Sequence, residues 1–338
     1  MKTFKIVQLV VSLLVLVFLI VLLVLFISGK VNFSTFFKIE KQIVLLERTE
    51  KIEDITDIQL DLSSMDIVVI PTDSDEISIT YRGPESRKDD LDLTVSVEDG
   101  TLSITQDQQY FAFFFFWNFT PRVLEISLPE QYSSAINLEN SSGDVSITGA
   151  YQLTDFSAKL SSGDIRIENM DCDVFSVRGS SGDFHLGQIV ANQVSIHVSS
   201  GDVTADSITG DGAIGSTSGD VTVTSLTGIV EVDVTSGDIR ITSLAGSGTV
   251  YCTSGDITVS VAEARGDLTV QTISGDVRLN LLENVSYYIS AKCTSGDIQS
   301  DFGMMYNDDD AASLDYGDAP EYSLKARTTS GDIHLSGE

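Results

Sequence analysis

The residues of this chain with the clearest capacity for chemistry are aspartates that recur in one short motif. The tripeptide Ser-Gly-Asp occurs ten times between residues 142 and 332. Carboxylate oxygens are ligands that Ca²⁺ prefers, and glycine- and aspartate-rich coils can hold this ion. The calcium candidates are three central members of the column and three consecutive aspartates outside it: Asp220, Asp238, Asp256, Asp308, Asp309 and Asp310.

A structural role for the aspartate column competes with calcium binding. Ser and Asp side chains can bond neighbouring backbone N–H groups in a turn, and Gly permits a positive φ. Two carboxylates stacked ~4.8 Å apart repel by about 0.9 kcal/mol in bulk water, which either hydrogen bonds or cations can offset. Because calcium-binding coils use a nine-residue repeat that differs from this one, we favour turn capping and keep calcium as the alternative.

An enzyme would need a local constellation that breaks the repeat, as in the parallel β-helix enzymes that act on polysaccharides. The histidines His185, His197 and His334 fall at outward polar positions, without an evident nucleophile or acid partner. All ten Ser-Gly-Asp units look alike, which suits a scaffold better than a single active site. We therefore predict a protein that is not an enzyme and has no cofactor, with Ca²⁺ as the open alternative.

The aspartates are positioned by a repeat of 18–21 residues, with one longer interval of 35 before the last motif. Such a period is typical of a solenoid with one coil per repeat. After each Asp an apolar, a polar and usually an apolar residue follow, as in Val221-Thr222-Val223, which predicts a short strand with one buried face. A second apolar column begins six residues before each Asp. Each coil is thus predicted as two strands and two turns, stacked into two parallel sheets.

The predicted fold is all-β, a parallel β-solenoid that is right-handed because parallel crossovers nearly always are. Residues 136–338 form its regular part, with an acidic insertion at 301–321. Residues 52–135 form an irregular N-terminal section that caps the open end. There Ser63-Ser64-Met65-Asp66 repeats the turn with Met in place of Gly, and Asp99-Gly100 predicts a hairpin turn.

Residues 6–28 are predicted to be a transmembrane anchor. Between Ile6 and Ile27 only Gln8 and Ser12 are polar, and such a helix spans roughly 30 Å of hydrocarbon. A cleavable signal peptide, the alternative, would have a shorter apolar region and a small-residue cleavage site. Residues 1–5 would be a cytoplasmic stub and 29–51 a juxtamembrane connector with some helix. Lysines flank both ends of this helix, so the positive-inside rule does not settle its orientation. The acidic, Ser/Thr/Gly-rich β-domain suits an extracytoplasmic location, so we predict a single-pass protein of the cell membrane with its ectodomain outside the cytoplasm.

Two segments break the repeat and can carry specificity. Residues 110–119 contain eight aromatics, which form either a hydrophobic plug under the cap or an exposed tip that meets a bilayer or a partner protein. The insertion at 301–321 is either a solvated acidic loop or a loop for divalent ions. The candidates for partner binding are Phe113, Phe114, Phe115, Phe116 and Trp117.

Composition and cysteine placement exclude several classes. With 50 acidic and 20 basic residues, the net charge of −30 argues against nucleic-acid binding, which needs clustered Lys and Arg. The three thiols are predicted to stay free. Cys252 and Cys293 share one column, and one coil lies between the two coils that carry them. Two rungs place their Cα atoms roughly 9.6 Å apart, which is too far for a disulfide.

Serial coils of Ser-Gly-Asp followed by an apolar residue, behind an N-terminal membrane helix, resemble the family called the putative-adhesin domain of bacterial envelope proteins, which includes LiaG-like proteins. The resemblance covers residues 52–338 and implies a bacterial cell envelope, but no defined catalytic residues. We predict a non-catalytic, membrane-anchored scaffold or adhesin-like protein that binds envelope proteins or surface ligands. The alternatives are an accessory or sensory component of an envelope-stress system that contacts membrane proteins and, less favoured, a calcium-dependent binding protein.

Overall fold

A computed structural model describes residues 37–38, 40–107, 117–118, 120–282, 285–303, 305–308 and 311–337. Across these ranges the chain is all-β, with mostly parallel strand pairs and two short 3-10 helices, Ile52–Asp54 and Glu85–Arg87. This confirms the predicted all-β, solenoid-like stack. The predicted anchor at 6–28 lies outside the described ranges, and within them no helix is long and apolar enough to cross a bilayer.

The N-terminal section contributes ten strands. They are β1 (Phe37–Lys38), β2 (Gln42–Lys51), β3 (Asp57–Leu62), β4 (Asp66–Thr72), β5 (Glu76–Pro84), β6 (Leu93–Glu98), β7 (Thr101–Gln106), β8 (Trp117–Asn118), β9 (Val123–Pro129) and β10 (Ala135–Ser142).

The regular part contributes the remaining strands, and seven of them run through a whole coil between two Ser-Gly-Asp turns. These seven are β11 (Val145–Ser162), β12 (Ile165–Ser181), β13 (Phe184–Ser200), β14 (Val203–Ser218), β15 (Val221–Ser236), β16 (Ile239–Ser254) and β17 (Ile257–Ser274). The shorter strands are β18 (Val277–Leu281), β19 (Tyr287–Ser295), β20 (Ile298–Ser300), β21 (Met305–Asp308), β22 (Ala311–Tyr316), β23 (Tyr322–Ser330) and β24 (Ile333–Gly337).

The coils β11 to β16 each have three inward-facing groups of side chains, not the two that were predicted. In β12 the buried pairs are Ile165 with Ile167, Met170 with Cys172, and Phe175 with Val177. Two breaks in the alternation separate them, and parallel pairing to β13 continues through all three groups. The middle group begins only three residues after the first group ends, so the alternation in the sequence did not separate the two groups. Equivalent side chains stack from rung to rung and fill the core.

The N-terminal section lies at one end of the stack. Strands β3 and β4 form a rung parallel to β10 and β11, and β7 and β9 pair in parallel on its other side. Antiparallel strands then complete the end: β6 on β7, β5 on β9, and β2 on β5. The predicted hairpin turn is confirmed, with φ of 48° at Asp99 and 81° at Gly100. The second half of the predicted connector 29–51 is strand β2, not helix.

At the other end the spatial order of the coils departs from the chain order. The C-terminal strands β23 and β24 lie between β17/β18 on one side and β19/β20 on the other. The acidic insertion makes this possible, because its strand β22 returns antiparallel along the outer edge of β19. Serial stacking, which the regular spacing predicted, is therefore wrong for the last two coils.

The changed order also corrects the predicted separation of two cysteines. Across the stack Cys252 is followed by Thr272, then Thr328, then Cys293. The two thiols are therefore three rungs apart, about 14 Å at the usual strand spacing. All three cysteines are buried and form no disulfide, and the longer separation strengthens the reason why no disulfide joins Cys252 to Cys293.

Burial of Cys172 makes stability sensitive to alkali. Desolvation, with the nearby Asp171, raises the pKa of the Cys172 thiol from 9.0 to about 12. The unfolded chain loses this proton near pH 9 while the folded chain keeps it, so the stabilisation is present below pH 9 and is lost as pH rises towards 12. Between pH 8 and pH 10.5 the wild type is expected to lose about 2 kcal/mol more unfolding free energy than Cys172→Ala, measured in urea. Equal losses would contradict this.

Candidate functional site

The Ser-Gly-Asp turns form a hydrogen-bonded ladder along one side of the stack. Oδ1 of each Asp except the last accepts a hydrogen bond of 2.8–3.1 Å from the backbone N–H of the Asp on the next rung. This confirms the expected capping of neighbouring backbone groups. In spatial order the ladder consists of Asp66, Asp144, Asp164, Asp183, Asp202, Asp220, Asp238, Asp256, Asp276, Asp332 and Asp297.

Glycine is required at these turns for two separate reasons. The turn glycines have φ between +120° and +149°, where other residues are strained. In addition, a Cβ at any of them would lie 2.0–2.3 Å from a backbone carbonyl oxygen of the neighbouring rung. Met65 can occupy the equivalent place in the first rung because its φ is not positive.

The ladder leads to a prediction that separates hydrogen bonding from charge. Asp238→Ala removes the acceptor of the Asp256 N–H and is expected to lower the unfolding free energy by ~1 kcal/mol, by analogy with helix caps. Asp238→Asn keeps an oxygen acceptor and removes repulsion from Asp220 and Asp256, so it should match or exceed the wild type. Both results should be the same in calcium and in EDTA, as measured by thermal unfolding.

Calcium binding would produce the opposite pattern. A ligand that binds only the folded state stabilises it by about 2.7 kcal/mol at a hundredfold excess over its Kd. A saturable, calcium-specific rise in Tm that Asp238→Asn abolishes would therefore support a metal site on the ladder. Within the described ranges, no three His, Cys, Asp or Glu residues are grouped so that they could hold a metal ion. Asp308 ends β21, whereas Asp309 and Asp310 lie outside those ranges.

One section of the ladder is partly neutralised by a cation of the chain. Arg278 donates from Nη1 to Asp256 at 2.9 Å and from Nη2 to Asp276 at 2.7 Å. The backbone N–H of Asp276 and the Arg278 guanidinium hold the pKa of the Asp256 carboxyl below its ordinary value. The like-charge repulsion expected of the column is thus offset here by hydrogen bonds and an ion pair.

The other candidates from the sequence do not come together at one place. Residues Phe113–Phe116 lie outside the described ranges, and the backbone of Trp117 pairs with that of Phe37 in a separate two-stranded ribbon. Whether the aromatic segment is a plug or a partner-binding tip stays a prediction. His185 and His334 follow the aspartate ladder on different coils, and His197 lies in another part of its coil.

A groove that the sequence analysis missed crosses the outer face of the stack. It has a volume of about 510 Å³ and lies over β14, where Ala213 and Gly215 occupy outward positions. In register, Gly215 lies between His197 and Asp233, and Ala213 lies between Ser195 and Glu231. Because Ala213 has only a methyl group and Gly215 has no side chain, the surface of β14 lies below the larger side chains of β13 and β15 on either side.

The two sides of the groove carry opposite charges. Arg178 and His197 border it on one side, and Glu231 and Asp233 border it on the other. Hydroxyl groups of Thr217 and Thr235 add further hydrogen-bonding groups, so the groove can bind a polar ligand by charge and hydrogen bonds together. A signal was present in the sequence, because Gly215 replaces a long polar side chain in its column, but only the strand register shows which residues flank it.

Comparisons with known proteins agree with this architecture. A family model described as Toastrack DUF4097 matches residues 55–231 and again residues 224–336. No curated protein matches the chain significantly.

Several solved structures match over most of this chain and most of their own length. One, described as a putative adhesin from Parabacteroides distasonis ATCC 8503, is 10% identical with a TM-score of 0.48, covering 88% of this chain and 98% of its own. A putative adhesin from Bacteroides fragilis NCTC 9343 is 15% identical with a TM-score of 0.37, covering 89% and 99%. A putative lipid binding protein from Parabacteroides distasonis ATCC 8503 is 16% identical with a TM-score of 0.40, covering 86% and 96%. At these sequence identities and TM-scores, nothing about the ligands of these proteins can be assigned to this chain.

Proposed function

The chain belongs to the Toastrack DUF4097 family, and on that premise we propose that it is a non-catalytic, membrane-anchored scaffold of the bacterial cell envelope that binds ligands in an adhesin-like manner. The membership agrees with the resemblance that the Ser-Gly-Asp coils indicated. The family is defined by its domain and not by an activity, so the binding role must be argued from the surface of this chain.

The observation that carries the proposal is the groove over Gly215. Its bordering side chains Arg178, His197, Glu231 and Asp233 are all exposed and project from a stack held rigid by continuous backbone pairing. A rigid face loses little conformational entropy when a ligand binds, which favours recognition by shape and charge. The histidines are dispersed over separate coils and the Ser-Gly-Asp turns are alike, which supports binding over catalysis.

The anchor and the orientation are part of the same proposal. Residues 6–28 are apolar over the length that crosses a bilayer, and the acidic, right-handed solenoid would then extend into the extracytoplasmic space. The native thiols are buried, so an introduced surface cysteine would give little background on labelling. We expect Thr204→Cys, at an exposed outward position, to react with a membrane-impermeant maleimide in intact protoplasts. Labelling that requires lysis would contradict the orientation.

Crosslinking in intact cells tests the binding role itself. A photoreactive amino acid at Thr235, on the border of the groove, should crosslink to a component of the envelope or cell surface. The same amino acid at Arg240, exposed on another side of the next coil, is the matched control. Equal yields from both positions, or none from Thr235, would count against the groove. Products formed only with membrane proteins, from a probe in the aromatic segment, would favour an envelope-stress component instead.

A further inference from the structure

A cluster of cations lies on the outer face at the C-terminal end of the stack. Lys325 and Arg327 are on β23, and Lys292 on the adjacent β19 pairs in register with Arg327. All three side chains are exposed. None of the ion pairs formed between described residues includes any of them. In a chain of net charge −30, this cluster is a local exception.

The cluster borders a recess of about 120 Å³, and each of its described lining residues has a group able to donate hydrogen bonds. Lys292 and Arg327 supply charge, and Gln271, Thr294 and Thr329 supply an amide and two hydroxyls. Two further threonines, Thr272 and Thr328, complete the lining but donate inward to backbone carbonyls. No carboxylate is among the described lining residues. Arginine, lysine and hydroxyl donors in this combination suit a phosphate oxyanion.

We propose that this recess binds the phosphate groups of a linear phosphodiester polymer. One phosphate would occupy the recess between Arg327 and Lys292. Lys325, two residues before Arg327 on the same strand, is displaced by about 7 Å along the strand direction. It can therefore meet the next phosphate of an extended chain, whereas a single small anion would use only the recess.

The surroundings favour a thin polymer over a membrane surface. Asp267 accepts a hydrogen bond of 2.8 Å from the backbone N–H of Ser323, two residues before Lys325 on β23. Asp315 on β22 pairs with Tyr288 at the edge of the same face. A planar anionic bilayer would meet these carboxylates together with the cations. A single polymer chain can follow Lys325 and Arg327 along β23, whereas Asp315 lies two strands away on β22, about 10 Å from that line and beyond the screening length of about 8 Å.

This site is separate from the groove. Gly215 and Arg327 are four rungs apart in the stack, or about 19 Å at the usual strand spacing. Loss of binding at one place therefore does not imply loss at the other, and the crosslinking test above can fail while the present inference holds.

The test measures binding of poly(glycerol phosphate) to the full chain in phosphatidylcholine nanodiscs by calorimetry. We expect binding at low salt that weakens with a log–log salt slope near −2, from three contacts at roughly 0.7 each. The triple variant Lys292→Gln, Lys325→Gln, Arg327→Gln should weaken it at least about tenfold and remove most of the slope. Inorganic phosphate should bind more weakly and should depend on Arg327 and Lys292 but not on Lys325.

A charge-matched variant provides the control. Lys159→Gln, Arg166→Gln, Arg240→Gln removes three exposed cations from other rungs and should leave polymer binding unchanged. Equal loss in both triple variants would overturn the site in favour of net charge. Binding to phosphatidylglycerol vesicles but not to the polymer would overturn it in favour of a membrane contact. Polymer binding that is unaffected by the cluster variant would overturn it outright, provided that its Tm matches the wild type.

Discussion

Replacing Gly237 with alanine is expected to lower the free energy of unfolding by at least about 3 kcal/mol. Gly237 has φ +141°, and a Cβ there would lie 2.3 Å from the backbone oxygen of Gly219. Neither problem can be relieved by a side-chain rotation, because the obstructing atom belongs to the next rung of the ladder. Movement of that rung would also break its own hydrogen bonds.

Two comparisons make the Gly237 result specific. Gly303→Ala places its Cβ where no atom of the other described residues beyond its chain neighbours lies within 4 Å, so it should leave the unfolding free energy nearly unchanged. Asp238→Ala changes the adjacent residue in the same turn but should cost only ~1 kcal/mol. Urea unfolding should therefore show the largest loss of unfolding free energy for Gly237→Ala, a smaller loss for Asp238→Ala and almost none for Gly303→Ala. If Gly237→Ala lowers the unfolding free energy no more than Asp238→Ala does, the backbone of the neighbouring rung can move to accommodate the added Cβ, and the prediction is wrong.

The second large effect is expected at the N-terminal cap, where Arg122→Met should lower stability by 3–5 kcal/mol, as measured by urea unfolding. The Asp92 side chain is only 2% exposed, and Arg122 Nη1 lies 3.1 Å from its Oδ2. Tyr81 and Gln106 also donate to Asp92. These two groups do not replace the cation, so the variant leaves a buried carboxylate without its counter-charge.

The same network connects the cap to the first rung of the ladder. Oε1 of Gln106 accepts hydrogen bonds from the backbone N–H groups of Ser63 and Ser64, each at 3.0 Å. The Arg122 backbone oxygen accepts from Asp66. At this end the cap thus supplies the acceptors that a further Ser-Gly-Asp coil supplies elsewhere. Distortion around Asp92 would reach the first rung through Gln106.

A more exposed ion pair in the same section is the matched control. Arg82 Nη1 lies 2.7 Å from Glu125 Oε2, but both side chains are about a third exposed (37% and 31%). Arg82→Met should therefore cost less than about 1 kcal/mol. The double variant Asp92→Asn, Arg122→Met should recover much of the loss, because no buried charge then remains. Equal costs for Arg82→Met and Arg122→Met would contradict the buried-charge explanation.

The repeat by itself determined the class of fold. Residues such as Val221 and Val223 alternate with polar neighbours, and this alternation returns with every Ser-Gly-Asp turn, so only stacked coils can bury the apolar columns together. The turn chemistry was also readable, because Ser, Gly and Asp have intrinsic conformational and hydrogen-bonding preferences that do not depend on distant contacts. The sequence also showed that Met65 replaces Gly in one copy of the turn, but only the structure shows that its φ is not positive there.

Long-range pairing decided what the sequence left open. The position of β23 between β17 and β19, the groove over Gly215 and the cation cluster at Arg327 all join residues whose neighbours in space lie one or more coils away in the chain. Periodicity specifies which face a residue occupies but not which rung lies beside it. Where an insertion such as 301–321 lets the chain cross a completed coil, similar coils offer nearly equivalent partners, and only the tertiary packing selects between them.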